Sequence, residues 1–336
     1  MKYIGYIGCK QSLVDFIYSC IKDFTKFDDS KQKIIIADVF AGTGSVGAYF
    51  RNLGYKVIAN DIQYYSYILN KAIIQCVKPQ VNLIDELNNL DEIEGFVYKN
   101  YCFGSGSTRM YFSDYNGKKC DSIRIELEKR HKEGSISEND YYYYLACLLT
   151  NIDKLANTTS VYGAYLKKYK SSSLKPLILT PLDIIDGPIG DVYNLSAEEL
   201  IDFIEGDILY LDPPYNTRQY APNYHVLETI AKYDNPELKG VTGIRNYDSQ
   251  KSNFCSKTKA LGALDYIIKK ARFKYIFLSY NNEGIMKTED IKKTLSHYGN
   301  YKCYTKSYRR FKADRDDKRN IIANSTVEYL HCLEKI

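Results

Sequence analysis

Short apolar runs alternate with helix-like stretches along this chain. Residues 33–40, 56–59 and 207–211 are mainly apolar segments of strand length, bounded by polar or glycine-rich residues. A helical pattern follows the first of them at 48–53. Continuous apolar strands separated by helices are typical of parallel sheets that are covered on both faces. The pattern therefore predicts an α/β fold with a doubly wound sheet.

Helical spacing also marks the beginning and the middle of the chain. Apolar residues recur at helical intervals between 13 and 21, which predicts an amphipathic helix with Ser12 as its N-cap. Within the long stretch 85–199, residues 121–130 and 138–156 have the length and spacing of helices, whereas 101–116 predicts a loop. We expect this stretch to form a mainly helical inserted domain.

The last third of the chain returns to the alternating pattern. The predicted elements are helices at 257–272 and 287–297 and strands at 274–281, 301–311 and 326–334. The last two strands are expected to end the sheet as an antiparallel pair. One domain is therefore predicted from 1–84 and 200–336, split by the insert at 85–199.

Composition narrows the class of protein. The chain has 336 residues, 45% of them apolar, which can bury one full core and a smaller second one. It contains no apolar run of membrane-spanning length and no signal-peptide core at its start, so we expect a soluble, cytoplasmic protein. The nine cysteines include no Cys-x-x-Cys pair, so neither a metal site nor a disulfide framework is expected.

Charge is distributed unevenly although the net charge is only +5. Residues 302–319 carry eight lysines and arginines against three acids, and a second basic group lies at 167, 168, 170 and 175. Either group could bind the phosphates of a nucleic acid. A solvated basic surface is the alternative interpretation of each lysine taken singly.

A glycine-rich turn follows the first predicted strand. Gly42, Gly44 and Gly47 form a Gly-x-Gly-x-x-Gly pattern, in which the first two glycines let the backbone approach a nucleoside closely. The next strand ends at Asp61, whose carboxylate could bind ribose hydroxyls. This Rossmann-like pattern by itself fits a nicotinamide enzyme as well as a methyltransferase.

A second motif, Asp212-Pro213-Pro214-Tyr215, ends the strand at 207–211. The exocyclic amine of adenine is a poor nucleophile because its lone pair is delocalised, so a catalyst must draw its N–H bonds into acceptors. Asp212 and the Pro213 carbonyl could be those acceptors, held in place by the two prolines, while Tyr215 stacks on the base. A plain strand-to-loop turn is the alternative, and only the glycine loop upstream favours methyl transfer.

In motif content and order the chain resembles the alpha-group, Dam-like N6-adenine-specific DNA methyltransferases of restriction-modification systems. The resemblance implies a Rossmann-like methyltransferase sheet, a target-recognition role for the helical insert, and S-adenosyl-L-methionine as cofactor. It places Lys10 at the cofactor carboxylate. The candidate cofactor-binding residues, taken from this resemblance and from the motifs described above, are Tyr6, Lys10, Asp38, Phe40, Ala41, Gly42, Thr43, Gly44, Asp61 and Asp212.

The segment after the tetrapeptide resembles a subgroup of that family, and it implies contacts with the flipped base and the DNA strand from Arg218, Tyr220, Asn223 and Tyr280. Arg109, Asn116 and Lys119 are possible readers of base edges. His225 is expected to be a packing or capping residue. The family's acidic contact with the cofactor adenine has no clear counterpart at 192–196, and Cys9 replaces a small polar residue or glycine.

These observations predict a site-specific DNA methyltransferase that transfers a methyl group from S-adenosylmethionine to the N6 amine of a flipped-out adenine. Double-stranded DNA is the expected partner, with a cognate restriction endonuclease as a possible second one and no metal or membrane. Three alternatives stay open: an RNA methyltransferase acting on an exocyclic amine, an N4-cytosine DNA methyltransferase, and a catalytically idle DNA-binding homologue.

Overall fold

The computed structural model describes residues 4–5, 8–28, 33–80, 83–309 and 325–336. Its strands are β1 (Ile35–Asp38), β2 (Lys56–Asn60), β3 (Asp191–Tyr193), β4 (Glu205–Leu211), β5 (Arg272–Asn281), β6 (Gly299–Arg309) and β7 (Ser325–Lys335). Its helices are α1 (Val14–Thr25), α2 (Ser45–Asn52), α3 (Tyr64–Asn70), α4 (Leu83–Asn88), α5 (Phe96–Tyr101), α6 (Asp114–Lys132), α7 (Glu138–Leu155), α8 (Ala197–Leu200), α9 (Ala221–Lys232), α10 (Ala260–Lys270) and α11 (Thr288–Ser296).

All of these strands belong to one sheet, in the order β3-β2-β1-β4-β5-β7-β6. The pairs from β3 to β5 are parallel, while β7 is antiparallel to both β5 and β6. The chain builds outwards from β1 in one direction through β2 and β3, and from β4 in the other direction through β5. The prediction of a doubly wound sheet that ends in an antiparallel pair is confirmed.

Apolar side chains of the central strands and of one face of α10 form the core beside the sheet. Its fully buried members include Leu209, Leu211, Leu264, Ile267, Ile276 and Leu278. Each such side chain contributes about 2 kcal/mol when it leaves water. The core therefore holds β4 and β5 in fixed register up to their carboxyl ends.

Residue contacts divide the chain into two compact units. The helical unit comprises residues 4–5, Gln63–Ile184 and Tyr220–Ser249, and the sheet unit comprises the described residues of Ile7–Ile62, Ile185–Gln219 and Gln250–Ile336. These limits differ from the predicted domain boundaries, because α3 and α9 pack on α7. Tyr65 of α3 is fully buried, and its backbone N–H donates to the Glu228 carboxylate of α9 at 3.0 Å.

Several predicted helix limits are wrong. Ser12 is not the N-cap of α1, since a 3-10 turn covers Lys10–Ser12 and Leu13 occupies the cap position without a side-chain bond. α6 begins at Asp114, inside the predicted loop, because the Ser113 hydroxyl accepts from the Asn116 N–H. α10 is shorter than predicted at both ends. Among the described residues, no helix is both long and apolar enough to cross a membrane.

Candidate active site

The predicted site residues of the sheet unit gather where the strand order changes direction. β1 and β4 are parallel neighbours, with Asp38 opposite Tyr210 in the register. Their carboxyl ends therefore open side by side, and the chain leaves them in opposite directions. Such a switch point is the usual ligand site of an open parallel sheet.

The glycine loop leaves β1 in a conformation that needs glycine. Gly42 has φ +51° and Gly44 has φ +76°, both in the left-handed region. Gly44 occupies the N-cap position of α2, so the loop delivers backbone N–H groups at the start of a helix. Ala41 and Thr43 are buried within this turn, and Phe40 packs edge-on against Phe254 at 5.2 Å between ring centroids.

Asp61 is tied to this loop directly. The Gly42 N–H donates to Asp61 Oδ2 at 2.9 Å, and Asp61 is only 9% exposed. Asn60 connects the neighbouring strand ends, because its Nδ2 donates to the Val39 and Leu195 carbonyls and its Oδ1 accepts from the Leu195 N–H. The predicted ribose ligand is therefore held in one position beside the loop.

Asp38, at the end of β1, has an unusual environment. Its Oδ1 is buried and has no hydrogen-bond partner among the described residues. Burial, together with the carboxylates of Asp212 and Asp61, raises the pKa of Asp38 well above its usual range. A buried carboxyl oxygen without a partner is suited to receive a donor group from a ligand, so this site fits a cofactor that carries an ammonium group.

Lys10 joins the tetrapeptide to the N-terminal motif. Its Nζ lies 3.0 Å from Asp212 Oδ1 and 2.9 Å from Glu328 Oε1, and its side chain is 7% exposed. Burial disfavours the ammonium, but the two carboxylates and the Tyr210 phenol outweigh that effect and raise the pKa of Lys10 well above its usual value. Contact between Lys10 and the cofactor carboxylate stays a prediction, and Tyr6 lies outside the described residues.

Asp212 stands at the end of β4 with its side chain 18% exposed. Burial raises its pKa from 3.8 to about 6; Lys10 opposes that rise and Glu328 adds to it. Pro213 is buried and Pro214 half-buried, so the turn is supported on its inner side. The Tyr215 carbonyl accepts from the Ile285 N–H at 3.0 Å, which fixes the end of the tetrapeptide against the β5–α11 connection.

Comparison with known proteins agrees with this geometry. A family model described as "D12 class N6 adenine-specific DNA methyltransferase" matches residues 6–294. The chain belongs to that family. S-adenosyl-L-methionine is therefore its cofactor and DNA its substrate.

Relatives with modification-enzyme names resemble the methyltransferase over its full length. It is 47% identical to the "Type II methyltransferase M.NlaIII" of Neisseria lactamica over 336 residues, which cover 99% of both chains. It is 35% identical to the "Type II methyltransferase M.CviAII" of Paramecium bursaria Chlorella virus 1, over 98% of both. The 38% identity with the "Type II methyltransferase M.FokI" of Planomicrobium okeanokoites spans 98% of this chain and 52% of that protein.

The predicted DNA contacts of the methyltransferase occupy different environments. Arg218 is exposed. The Arg218 N–H donates to Asn216 Oδ1, and the Arg218 carbonyl accepts from the Cys255 thiol, so its backbone is fixed on both sides. Tyr280 is 2% exposed and close to Gly284, where an added Cβ would lie 2.0 Å from its ring. Tyr220 and Asn223 belong to the helical unit, at the start of α9, where Tyr220 O accepts from the Asn223 N–H.

The three possible base readers all bond backbone groups of the helical unit, and two of them are buried. Asn116 is fully buried and bonds the backbone of Ser173, Lys175 and Leu177. Lys119 donates to the carbonyls of Asn88 and Leu90. Arg109 donates to the carbonyls of Asn100, Gly240 and Val241, at 3.1 Å each. A sequence pattern does not reveal such partners. Asn116 and Lys119 are buried, which is unfavourable for base reading, whereas Arg109 is partly exposed and its contact with bases stays a prediction.

His225 is the packing residue that was expected. It is 1% exposed, and its two ring nitrogens lie 2.9 Å from the carbonyls of Pro222 and Thr242. Burial lowers its pKa.

Glu328 was missed by the sequence interpretation. It is 1% exposed on β7, beyond the residues that the family model matches. The available signal was one carboxylate within the apolar run 327–333, where a buried charge requires a partner. The identity of that partner, Lys10, could not be read from the pattern.

Proposed function

We propose that Asp212 and the Pro213 carbonyl accept the two N–H groups of a flipped-out adenine amine, while Tyr215 stacks on its ring. The observation that carries this proposal is the position of Asp212 at the end of β4, directly beside the strand that delivers the glycine loop. Two acceptors would concentrate the nitrogen lone pair on the attacking side of the amine.

The cofactor, when bound, supplies a methyl group on a sulfonium, whose positive charge is lost on transfer. Residues of this chain would hold it as follows. Asp38 Oδ1 would accept from its ammonium, and Asp61 would bind the ribose hydroxyls. Phe40, Ala41, Gly42, Thr43 and Gly44 would line the approach, and Tyr6 would complete the N-terminal contact. Desolvation of this pocket would favour the loss of charge.

Asp212 also suits the proton balance of the reaction. The product amine has one N–H bond fewer than the substrate, so one proton must leave. A carboxyl with a pKa of about 6 is mostly ionised at neutral pH and can accept that proton without a large energetic barrier. Lys10 stabilises the ionised form through its contact with Oδ1.

The remaining assignments concern DNA and the biological setting. Arg218, Tyr220, Asn223 and Tyr280 would contact the flipped base or the DNA strand, and the insert at 85–199 would recognise the target sequence. The type II names of the relatives support a modification role in the cytoplasm beside a cognate restriction endonuclease. The lysines at 167, 168 and 175 are exposed and available for phosphate contacts.

The direct test is to incubate the protein with labelled S-adenosylmethionine and unmethylated genomic DNA, with total RNA in parallel, and to identify the modified nucleoside by mass. We expect N6-methyladenine in DNA alone. Asp212→Ala should abolish the product while cofactor affinity in calorimetry stays close to that of wild type. The matched control is Asp202→Ala, since that carboxylate is 45% exposed and contacts the side chains of Lys270 and Tyr266 on the surface of the sheet unit.

Each other result would favour a different function. Labelled RNA would indicate an RNA methyltransferase, and N4-methylcytosine would indicate the cytosine enzyme. DNA binding without turnover would support the idle homologue. Full turnover by Asp212→Ala would refute the catalytic assignment itself.

A further inference from the structure

The ammonium of Lys10 is shared by two carboxylates that come from distant parts of the chain. Asp212 ends β4, whereas Glu328 lies near the start of β7, and their oxygens are 3.0 and 2.9 Å from the same nitrogen. The Ser279 hydroxyl of β5 donates to the Glu328 oxygen that contacts Lys10. This cluster carries one positive and up to two negative charges in a largely buried place.

Burial of these charges costs desolvation free energy, and a role in the site would explain why the arrangement is kept. The side chain of Glu328 is 2% exposed, and a buried carboxylate costs several kcal/mol before its partners compensate. One carboxylate would already neutralise Lys10. A second one leaves the cluster with an excess negative charge beside the tetrapeptide.

We propose that Glu328 is a positioning residue for methyl transfer, which holds Lys10 between two carboxylates and so keeps Asp212 a strong acceptor for the adenine amine. This inference rests on the proposed role of Asp212. Glu328 acts on Asp212 through Lys10 and through repulsion between the two carboxylates, and it is not assigned a contact with substrate. The apolar pairing surface of β7 would by itself be served better by an uncharged residue.

Asp212 and Glu328 compete for one cation, the Lys10 ammonium. With Glu328 present, the three N–H groups of Lys10 divide between two anions, and Asp212 retains more of its negative charge for another donor. Without Glu328, Lys10 would pair with Asp212 alone and weaken it as an acceptor. The other groups that face Asp212 electrostatically are Tyr210 on the same strand, Tyr215 in the tetrapeptide, and Asp38 on β1.

Glu328→Gln removes the charge and retains the shape. Because the Glu328 carboxylate raises the pKa of Asp212, its removal should lower that pKa. We therefore expect the Asp212 carboxyl of the cofactor-free protein to titrate at a pH lower by roughly half a unit or more, as measured by carbon NMR. The Asp212 carboxyl signal is identified by its absence from the spectrum of Asp212→Asn. This readout needs neither cofactor nor turnover.

Activity supplies the second readout. In Glu328→Gln we expect kcat to fall by about threefold at pH 8, with cofactor affinity changed less than about twofold. The acid limb of the kcat profile should move to lower pH. In a Lys10→Met background the same substitution should change kcat by a smaller factor, since only the direct repulsion between the two carboxylates then remains.

The matched control is Glu228→Gln in the helical unit. Glu228 is also 1% exposed, and it pairs with Lys232 at 2.9 Å. Loss of that buried carboxylate should lower stability without moving the Asp212 titration. If Glu328→Gln does not fold, Ser279→Ala is the second variant. Without that donor the Glu328 oxygen should attract Lys10 more strongly, so the pKa of Asp212 should rise, and an unchanged titration would count against the proposal.

An unchanged Asp212 titration, or a kcat loss that is equal at every pH, would overturn the proposal and leave Glu328 a structural residue. Failure of the proposed function has a different signature. In that case wild-type protein would form no N6-methyladenine at all, while the Asp212 titration would still respond to Glu328→Gln.

Discussion

Replacing Asp212 with asparagine should abolish methyl transfer and at the same time stabilise the cofactor-free protein above neutral pH. The side chain is only 18% exposed and shares the single ammonium of Lys10 with Glu328. Its raised pKa means that the folded protein binds this proton more tightly than the unfolded chain does. Ionisation of Asp212 therefore opposes folding.

The magnitude follows from the two pKa values. The group titrates at 3.8 ordinarily and at about 6 in the folded protein. Each pKa unit corresponds to about 1.4 kcal/mol, so ionised Asp212 destabilises the fold by about 3 kcal/mol. The stabilisation of the fold by protonated Asp212 is fully present below pH 3.8 and is lost as the pH rises through 6. Asparagine cannot ionise and should avoid this loss.

Thermal unfolding of both proteins without cofactor, from pH 4 to pH 8, measures the effect. An unfolding entropy of about 2.1 cal/mol/K per residue gives about 0.7 kcal/mol/K for 336 residues. The Tm of Asp212→Asn minus that of wild type should therefore increase by about 4 °C from pH 4 to pH 8. Asp202→Asn, at a surface position, should show no such pH-dependent gain.

Two results would refute the reasoning. A Tm difference that stays constant from pH 4 to pH 8 would show that Asp212 titrates alike in the folded and unfolded states. A variant that loses stability relative to wild type as the pH rises would show that the ionised carboxylate is a net stabilising partner of Lys10.

Arg109→Ala should lower the free energy of unfolding by about 2 kcal/mol, because the carbonyls of Asn100, Gly240 and Val241 lose a charged donor. Sequencing of methylated genomic DNA should show an unchanged target, and an altered target would mean that Arg109 contacts bases. Gly44→Ala should lower the Tm and weaken cofactor binding, since φ +76° costs an L-residue about 1 kcal/mol or more. Wild-type melting together with wild-type affinity in calorimetry would contradict that account of the loop.

Local pattern was sufficient for much of the fold. The apolar runs around β1, β2 and β4 and the glycine turn after β1 predicted a doubly wound sheet, because strand and helix periodicities depend on neighbouring residues. Helix limits were less accurate. The start of α6 depends on the bond from Asn116 to Ser113, and competing polar residues nearby made that cap one choice among several.

The amino-acid sequence by itself determined the family, the parallel core and the residues that carry the tetrapeptide and the glycine loop, since these are local strings with local geometry. Only the tertiary structure decided their partners. It joined Lys10 to Asp212 and Glu328, and it tied Arg109 and Asn116 to backbone carbonyls of the helical unit. The physical reason is that a pattern reports the polarity of a side chain, whereas the group it meets is set by strand order and long-range packing.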